Sequence, residues 1–322
     1  MKKGYLILFA IIFCLMIIFP LPCLKKADGR RDNSRKIDSG NESFKVIFPD
    51  GSICEMSAKD YVFGVLAAEM SPDAPEQALK AQAVCAYTFA SRKKADRKIF
   101  PPSELDGADI SADYHIDQGF LTKEQAREKW GQKADEYEQK LNKIVDETAG
   151  VSVRYDGDYA LTLYHAVSAG RTESAQNVFG EDIPYLVPVQ SVGDILCDEC
   201  CSSAEFSKDE FSQKLKSISN ISETNFSEDF IGQKQCSDSG TVLSAELFGQ
   251  SFSGKDIRNA FSLRSANFDI EYDEDKGLVI FSVRGYGHLV GMSQKGAEIM
   301  AENGSDYKEI LLHYYPGCEV WD

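Results

Sequence analysis

The chain has 322 residues and a formal net charge of −16 at pH 7, and 43% of its residues are hydrophobic. This length allows one large domain or two ordinary ones, and the apolar content suffices for a packed core. The acidic surplus argues against a nucleic-acid partner, because such proteins favour basic surfaces. It is compatible with an extracytoplasmic protein that acts on neutral or mixed-charge polymers, and solubility explains it equally well.

The N-terminal segment has the composition of a membrane anchor. Residues 4–24 carry no charged side chain, and the run is long enough to cross a hydrocarbon layer of about 30 Å. No Ala-x-Ala type cleavage site ends the run, so we expect an uncleaved transmembrane helix over residues 1–24 rather than a removed signal peptide. Residues 25–42 are polar and charged, which predicts a tether. The sequence thus predicts a single-pass protein of the cell membrane with one extracytoplasmic domain over residues 43–322.

The first part of that domain has the pattern of a hairpin followed by two helices. Residues 44–53 alternate around a Pro-Asp-Gly turn at 49–51, which predicts two antiparallel strands. A helix that ends at Glu69 follows. A second helix is predicted over about 75–94, with a proline at an early position and Asp73 as its possible cap.

The rest of the chain alternates between strands and helices. The pattern predicts a charged amphipathic helix over about 122–148, then strands at 151–153, 159–165, 268–272 and 278–283, and helices near 293–302 and 307–314. Residues 198–238 are rich in Ser, Glu, Asp and Lys, so we expect a variable surface excursion with a short helix. Interspersed helices and strands without an internal repeat indicate the α+β class, as one mixed domain.

One carboxylate stands at the end of an otherwise apolar helical stripe. Tyr61, Val65 and Glu69 are spaced by four residues and share a helix face, and Ser57 is a plausible N-cap of this helix. A carboxylate held among apolar neighbours loses hydration, which raises its pKa and prepares it to act as an acid. The alternative, that Glu69 ends the helix and turns to solvent, fits the periodicity equally well.

Other polar groups could join this carboxylate. Lys80 and Gln82 lie on the following helix, and the islands 164–173 and 284–294 each leave a strand and contain a histidine beside glycine. Glycines at such places let backbone N–H groups and a histidine approach a ligand closely. A solvated lysine and satisfied core histidines are the structural alternatives. No G-x-S-x-G elbow, P-loop or H-E-x-x-H spacing is present, which disfavours a serine hydrolase, a nucleotide site and a metal-dependent peptidase.

The cysteines allow more than one state. The chain has nine cysteines, and the number that lies outside the membrane segment is also odd. Cys197, Cys200, Cys201 and Cys236 could ligate zinc, form disulfides or stay reduced. Zinc is the weaker possibility, because no second Cys-x-x-Cys pair or paired histidine accompanies them.

Four blocks of this sequence resemble the stage II sporulation protein D family, which shares its domain with amidase enhancers of LytB type. Residues 61–90 are similar to Y-L-x-G-V-V-A-A-E-M followed by E-A-L-K-A-Q-A-V-A-A-R-T-Y-A, and residues 165–194 to H-S-T-S-G-G-x-T-E followed by P-Y-L-x-x-V. Residues 257–268 are similar to I-R-x-x-L-x-L-x-S-x-x-F, and residues 285–297 to G-Y-G-H-G-V-G-M-S-Q-x-G-A. The blocks occur in the expected order over nearly all of residues 44–322.

The resemblance implies a lytic transglycosylase of peptidoglycan that works during engulfment in sporulation. Such an enzyme cleaves the β-1,4 bond between N-acetylmuramic acid and N-acetylglucosamine in glycan strands from which amidases have removed the stem peptides. The family's catalytic acid falls on Glu69. Its substrate-binding positions fall on Lys80, Gln82, His165, Ser168, Gly170, Thr172, Glu173, Gly287 and His288. The implied partners are the glycan strands, a membrane-anchored cell-wall amidase and other engulfment proteins.

We expect neither a cofactor nor a metal. Some relatives hold zinc just before a glutamine such as Gln118, but this chain has no cysteine there. One acid suffices for the implied reaction, whereas a usual glycosidase needs two carboxylates at a set separation. Glu69 would donate a proton to the glycosidic oxygen and then take one from the C6 hydroxyl of muramic acid, which closes a 1,6-anhydro ring.

The chain departs from the family pattern at several positions. Tyr87 stands where the family has Arg, Ala166 where it has Ser, and Lys295 where it has an aromatic residue; Ala169 and Leu289 replace glycines. These departures leave an alternative function open. The protein would then be a non-catalytic glycan-binding protein that recruits or enhances a peptidoglycan amidase.

Overall fold

The computed structural model describes residues 42–219, 221, 226 and 230–322. The strands are β1 (Ser43–Ile47), β2 (Ile53–Ser57), β3 (Ile110–Ser111), β4 (Ser152–Tyr155), β5 (Asp158–Tyr159), β6 (Tyr164–His165), β7 (Cys201–Ser207), β8 (Ile231–Cys236), β9 (Val242–Leu247), β10 (Gln250–Ser253), β11 (Phe268–Asp273), β12 (Leu278–Arg284), β13 (Met292–Ser293) and β14 (Glu319–Trp321). The α-helices are α1 (Ala58–Glu69), α2 (Glu76–Ile99), α3 (Lys123–Trp130), α4 (Ala134–Glu147), α5 (Ala175–Phe179), α6 (Lys208–Lys216), α7 (Gly254–Phe261), α8 (Gln294–Glu302) and α9 (Tyr307–Tyr314). This mixture confirms the α+β class.

Within those ranges, none of the helices is long and apolar enough to cross a bilayer. The predicted anchor at residues 1–24 lies outside the described part of the chain, as does the predicted tether at 25–42 apart from its last residue. Both therefore stay predictions.

The strands form small sheets rather than one large one. Their orders are β2-β1-β3, β10-β9-β8, β11-β12-β7, β13-β6 and β14-β4-β5. The predicted hairpin is confirmed, because β1 and β2 pair antiparallel with Phe44 opposite Met56. Strands β6 and β13 pair in parallel, with Met292 opposite Tyr164 and Ser293 opposite His165. That last pair brings the two predicted polar islands side by side.

Helices α1 and α2 occupy the larger of two apolar cores. Ser57 caps α1, since its Oγ accepts a hydrogen bond of 3.1 Å from the backbone N–H of Asp60. The small side chains of Ala81 and Cys85 on α2 are fully buried, which allows close packing between helices. Truncation of a buried leucine such as Leu66 costs about 2–5 kcal/mol in comparable cores. This packing fixes the end of α1, and so fixes Glu69.

A second core lies between α6, α7 and the strands β7 to β12, and it is rich in phenylalanine. The ring centroids of Phe211 and Phe261 are 4.7 Å apart, and those of Phe261 and Phe281 are 5.0 Å apart. Phe211 belongs to the segment 198–238, whose composition predicts a surface excursion. A short helix does lie there, but its neighbours are two strands, β7 and β8, which the weak periodicity did not predict.

Two local predictions about helices are wrong. The helix expected over 122–148 is divided into α3 and α4, because Gly131 has φ 56° and ψ −120°, a conformation that interrupts a helix and that glycine adopts without a side-chain clash. Asp73 does not cap α2. Pro75 occupies the N-cap without a side-chain hydrogen bond, and Asp73 instead accepts a 2.5 Å hydrogen bond from the hydroxyl of Tyr137.

Candidate functional site

Glu69 lines an open cleft of about 720 Å³. Its polar lining includes Glu69, Gln118, Tyr164, His165, His288 and Gln294; we call this the Glu69 cleft. The side chains come from the end of α1, from strand β6, from the glycine-rich turn before β13 and from the start of α8. Chain segments that are distant in sequence therefore meet at one acid.

The carboxyl of Glu69 is mostly buried and has few compensating partners. Its Oε1 accepts a 2.9 Å hydrogen bond from the backbone N–H of Gly119. Burial raises the pKa of Glu69, and the Gly119 N–H, the Gln294 side chain, the Lys129 charge and the Tyr164 hydroxyl offset this only in part. The alternative in which Glu69 turns to solvent at the helix end is thus not observed, and the raised pKa favours the protonated form of the carboxyl.

A hydrogen-bonded chain of side chains supports the carboxyl. The Tyr61 hydroxyl donates to Gln118 Oε1 at 2.9 Å, and Gln118 Nε2 donates to the Tyr164 hydroxyl oxygen at 2.8 Å. Burial raises the pKa of Tyr164 well above its ordinary value, so its hydroxyl stays protonated and can donate toward Glu69. The chain orients one proton donor at the acid without placing a charge beside it.

Gln294 forms a second support, from the start of α8. It is the first residue of α8 and lies beside Glu69 in the cleft. Its Nε2 approaches Oε1 of the fully buried Gln82 at 3.4 Å. Gln82 therefore stands behind Gln294 rather than in the cleft lining, and its own Nε2 has no partner within the described residues.

The two histidines of the cleft are both neutral. Burial, together with His288, lowers the pKa of His165 to about 3, and burial with the charge of Arg258 lowers that of His288 to about 4. His165 Nδ1 lies 3.2 Å from the carbonyl oxygen of Val290, which can only accept, so this nitrogen carries the hydrogen. Its Nε2 is consequently an acceptor, and it is buried without a partner in the described part of the chain.

His288 has the opposite tautomer. Its Nδ1 accepts a 3.1 Å hydrogen bond from the backbone N–H of Val290, so the proton resides on Nε2. The ring centroid of His288 lies 5.8 Å from that of His165, with the two planes tilted, and 5.5 Å from that of Phe179 in an edge-to-face arrangement. Gly287 makes this approach possible, since a Cβ at that position would lie 2.7 Å from Cβ of His165.

Lys80 does not reach the Glu69 cleft. Its Nζ lies 2.7 Å from Glu147 and 3.0 Å from Glu76, so its charge joins α2 to α4. Within the described residues, these two ion pairs take the place of the substrate contact that the resemblance implies.

The rest of the first island also supports the cleft from outside its lining. Ser168 is fully buried, and its Oγ accepts from the backbone N–H of Gly170 at 3.1 Å. Thr172 Oγ1 accepts from the backbone N–H of Val189 at 2.9 Å. Glu173 is fully buried and accepts hydrogen bonds from Asn177 and from the Ser237 hydroxyl. Of the ten predicted positions, Glu69, His165, Gly287 and His288 line the cleft, and the other positions do not.

The carboxylate of Asp117 is committed to an ion pair. Arg97 donates to both of its oxygens, at 2.7 and 2.8 Å, and the N–H of Ser111 donates to Oδ2 at 2.7 Å. No group of three or more potential metal-ligating side chains occurs among the residues that the structure describes. The cysteines in the same ranges are all unpaired thiols.

Sequence reasoning missed three members of the site as partners of Glu69. Gln118, Tyr164 and Gln294 were present in polar stretches but carried no periodic signal that pointed at the acid. Tyr164 and Gln294 border the two islands, so pairing of those islands through β6 and β13 was the signal that could have found them.

Two departures from the family pattern have different surroundings. Tyr87 lies away from the cleft and donates a 2.5 Å hydrogen bond to Glu42 Oε2. Leu289 is buried with φ 66°, a left-handed conformation in which glycine is unstrained. The glycine expected there is thus a backbone requirement, which this chain meets with a leucine.

The α+β fold presents a largely buried carboxyl with a raised pKa in an open cleft, and comparisons with known proteins identify the family. The family model described as stage II sporulation protein matches residues 51–155. The chain is 33% identical over 273 residues to stage II sporulation protein D of Bacillus amyloliquefaciens, which covers 84% of this chain and 75% of that protein. The corresponding protein of Bacillus subtilis is 31% identical, with 84% and 76% covered. The chain belongs to the stage II sporulation protein D family.

A more distant relative is the amidase enhancer of Bacillus subtilis. It is 24% identical over 309 residues, which covers 80% of this chain but only 40% of that protein.

Proposed function

We propose that this protein is a lytic transglycosylase that cleaves peptidoglycan glycan strands between N-acetylmuramic acid and N-acetylglucosamine. The observation that carries the proposal is Glu69, a buried carboxyl with a raised pKa in an open cleft. A raised pKa increases the fraction of the acid that is protonated at a given pH, and general acid catalysis uses that form. Membership of the stage II sporulation protein D family supports cell-wall chemistry as the context.

The first step is protonation of the leaving group. Glu69 gives its proton to the glycosidic oxygen while the bond from that oxygen to C1 of muramic acid breaks. Tyr164 and Gln294 flank the carboxyl and stabilise the negative charge that it gains. The cation-like C1 then has to be captured.

The second step forms the anhydro ring. The C6 hydroxyl of the same muramic acid attacks C1, and its proton passes to the Glu69 carboxylate, which restores the starting state. No water is consumed. His165 and His288 line the same cleft and would hold the sugar in place.

Support for this reaction over hydrolysis comes from the other carboxylates in the cleft lining. A hydrolase needs a second acid about 5–9.5 Å from the first. Asp117 is engaged with Arg97, and Glu181 is solvent-exposed. We therefore assign the proton transfers to Glu69 alone.

Mass analysis of the products tests the proposal. The full chain is incubated with amidase-treated peptidoglycan in H₂¹⁸O, and the soluble fragments are analysed. We expect 1,6-anhydro-muramic ends without ¹⁸O, and none from a folded Glu69→Gln variant. Reducing muramic ends that carry ¹⁸O and depend on Glu181 would indicate a two-carboxylate hydrolase. Binding of the strands without any fragment would overturn the enzyme in favour of a glycan-binding protein that enhances an amidase.

The biological setting is part of the same proposal. We infer a role in engulfment during sporulation, at the cell membrane with the domain on its outer side, from the family and from the composition of residues 1–24. A membrane-anchored amidase that exposes denuded strands would be the natural supplier of substrate. Protease accessibility of the C-terminal domain in intact protoplasts tests the orientation, and protection would overturn it.

A further inference from the structure

A second cavity adjoins the Glu69 cleft. It has a volume of about 220 Å³, and Phe179, Gly287 and His288 line both spaces. Helix α7 supplies Lys255 and Arg258 to its wall; we call it the Arg258 pocket. At ~30 Å³ per water molecule, the pocket holds a small substituent of a sugar rather than a whole disaccharide. A ligand bound in the cleft could therefore reach into it beside His288.

Arg258 has no acidic partner in the described part of the chain. Its Nε makes one long hydrogen bond, 3.4 Å to the carbonyl oxygen of Leu263, and no acceptor in the same ranges bonds its two Nη groups. The guanidinium of Arg258 is also partly buried, and this burial lowers its pKa. A guanidinium has five N–H donors in a planar fork that matches a carboxylate. Most of those donors remain available to a ligand.

The rest of the pocket favours an anion. Lys255 lies three residues before Arg258 on α7, so both side chains occupy one helix face. No aspartate or glutamate contributes to the lining, although the chain carries a net charge of −16. Thr241 also lines the pocket, and its hydroxyl is buried without a partner within the described residues. The pocket thus presents two cations and no carboxylate among its lining residues.

We propose that the Arg258 pocket is a carboxylate subsite that holds the lactyl carboxylate of a muramic acid residue in the bound glycan strand. This inference rests on the proposed function. An amidase leaves that carboxylate free when it removes the stem peptide, whereas an intact stem ties it up as an uncharged amide. Binding to Arg258 would therefore distinguish denuded strands from strands that keep their stem peptides. It touches substrate but not the reacting atoms, and its role is specificity.

Binding of defined oligosaccharides tests the subsite apart from catalysis. The full chain carrying Glu69→Gln, which prevents turnover, is titrated calorimetrically at 0.1 M salt. The ligands are a denuded muramic acid–glucosamine tetrasaccharide and the same tetrasaccharide with its lactyl groups converted to methylamides. We expect the carboxylate form to bind about tenfold to hundredfold more tightly, as a charge-assisted pair predicts. Added Arg258→Gln should reduce that preference to about threefold or less, the range of an exposed lysine alone, without changing affinity for the methylamide.

Matched variants separate charge from folding. Arg258→Lys keeps the charge and should retain part of the preference, while Arg127→Gln, which removes an exposed arginine paired with Asp135 and Glu138, should leave it intact. An unchanged preference in Arg258→Gln, or no preference in the protein that carries Glu69→Gln alone, overturns the subsite.

A tetrasaccharide bearing L-alanine on each lactyl group moves the carboxylate outward. If it binds as tightly and depends equally on Arg258, the pocket reads peptide carboxylates and the lactyl assignment is wrong. If the wild-type protein, which keeps Glu69, releases no anhydro products, that result counts against the proposed function, whatever the titrations give.

Discussion

Ser293 donates a 2.7 Å hydrogen bond from its hydroxyl to Oδ2 of Asp194, and the same oxygen accepts the backbone N–H of Ser168 at 2.8 Å. Ser293 is also the N-cap of α8, where its Oγ accepts from the N–H of Gly296 at 3.1 Å. The next residue is Gln294, which flanks Glu69. Asp194 is fully buried. Its carboxylate therefore links, through hydrogen bonds, the first polar island and the helix that carries Gln294.

Removal of the Asp194 side chain should therefore destabilise the protein. Asp194→Ala leaves the Ser168 N–H and the Ser293 hydroxyl buried without an acceptor, which costs about 2–6 kcal/mol at about 1–3 kcal/mol per group. Asp194→Asn keeps one acceptor oxygen and removes a charge whose burial raises the pKa of Asp194, so its loss should be smaller, about 1 kcal/mol or less. Urea unfolding measures both. If both variants lose the same free energy of unfolding, the acceptor oxygen of Asp194 is not the source of its stabilising effect.

Glu69→Gln should abolish most activity and at the same time raise stability at neutral pH. Loss of a general acid typically costs about 10²–10⁴-fold in rate. Burial holds the folded-state pKa of Glu69 above its ordinary value of 4.5, so the native state binds the extra proton between those two values. Wild-type stability therefore falls as pH rises through that window, and the glutamine variant is spared.

Two measurements check this trade-off. The melting temperature of Glu69→Gln minus that of the wild type should be smallest below pH 4.5 and should grow to a plateau above the folded-state pKa of Glu69. Wild-type turnover should decline over the same window as the acid loses its proton. A stability difference that is flat with pH would contradict the raised pKa.

The sequence predicted what is local and missed what depends on long-range contacts. The Ser57 cap and the stripe from Tyr61 to Glu69 are encoded within one helix, and both are present. The contacts of Glu69 with Gly119 and Gln294 join residues far apart in the chain, so no periodicity could show them. The family resemblance implies that Lys80 contacts the substrate. In the structure, its ammonium instead pairs with Glu147 of α4.

Lys80→Met offers a direct test of that placement. Because the ammonium of Lys80 bridges Glu76 and Glu147 at partly exposed positions, the variant should lose only about 0.5–1 kcal/mol of stability. Its KM and kcat on denuded strands should match those of the wild type. Lys143→Met is the matched control, since Lys143 faces the same two carboxylates and is more exposed. A tenfold rise in KM for Lys80→Met alone would restore the substrate contact that the resemblance implies.

The cysteines of the described domain should divide by burial when the native protein is alkylated. Cys54, Cys201 and Cys236 are exposed and should react with iodoacetamide at pH 8. Burial raises the pKa of Cys85 and Cys318 to about 12 and that of Cys200 to about 11, so their reactive thiolate fraction is negligible. Peptide mapping by mass spectrometry identifies the modified sites. Resistance of Cys201 and Cys236 until a reductant is added would indicate a disulfide, and resistance until a chelator is added would indicate bound metal.

Replacement of Leu289 by alanine and by glycine should cost similar amounts of stability. Its side chain is 2% exposed, so Leu289→Ala should lose about 2–5 kcal/mol of packing. The backbone stays at φ 66°, where a Cβ costs about 1–2 kcal/mol that glycine avoids. Leu289→Gly relieves this strain, but it also loses the buried Cβ, worth about 0.8 kcal/mol, and its more flexible unfolded chain costs about 0.5–1 kcal/mol. Chemical denaturation should therefore find the two variants within about 1 kcal/mol of each other, against the usual order in which glycine is clearly worse. An alanine variant more stable by a larger margin would mean that the left-handed conformation is not retained in solution.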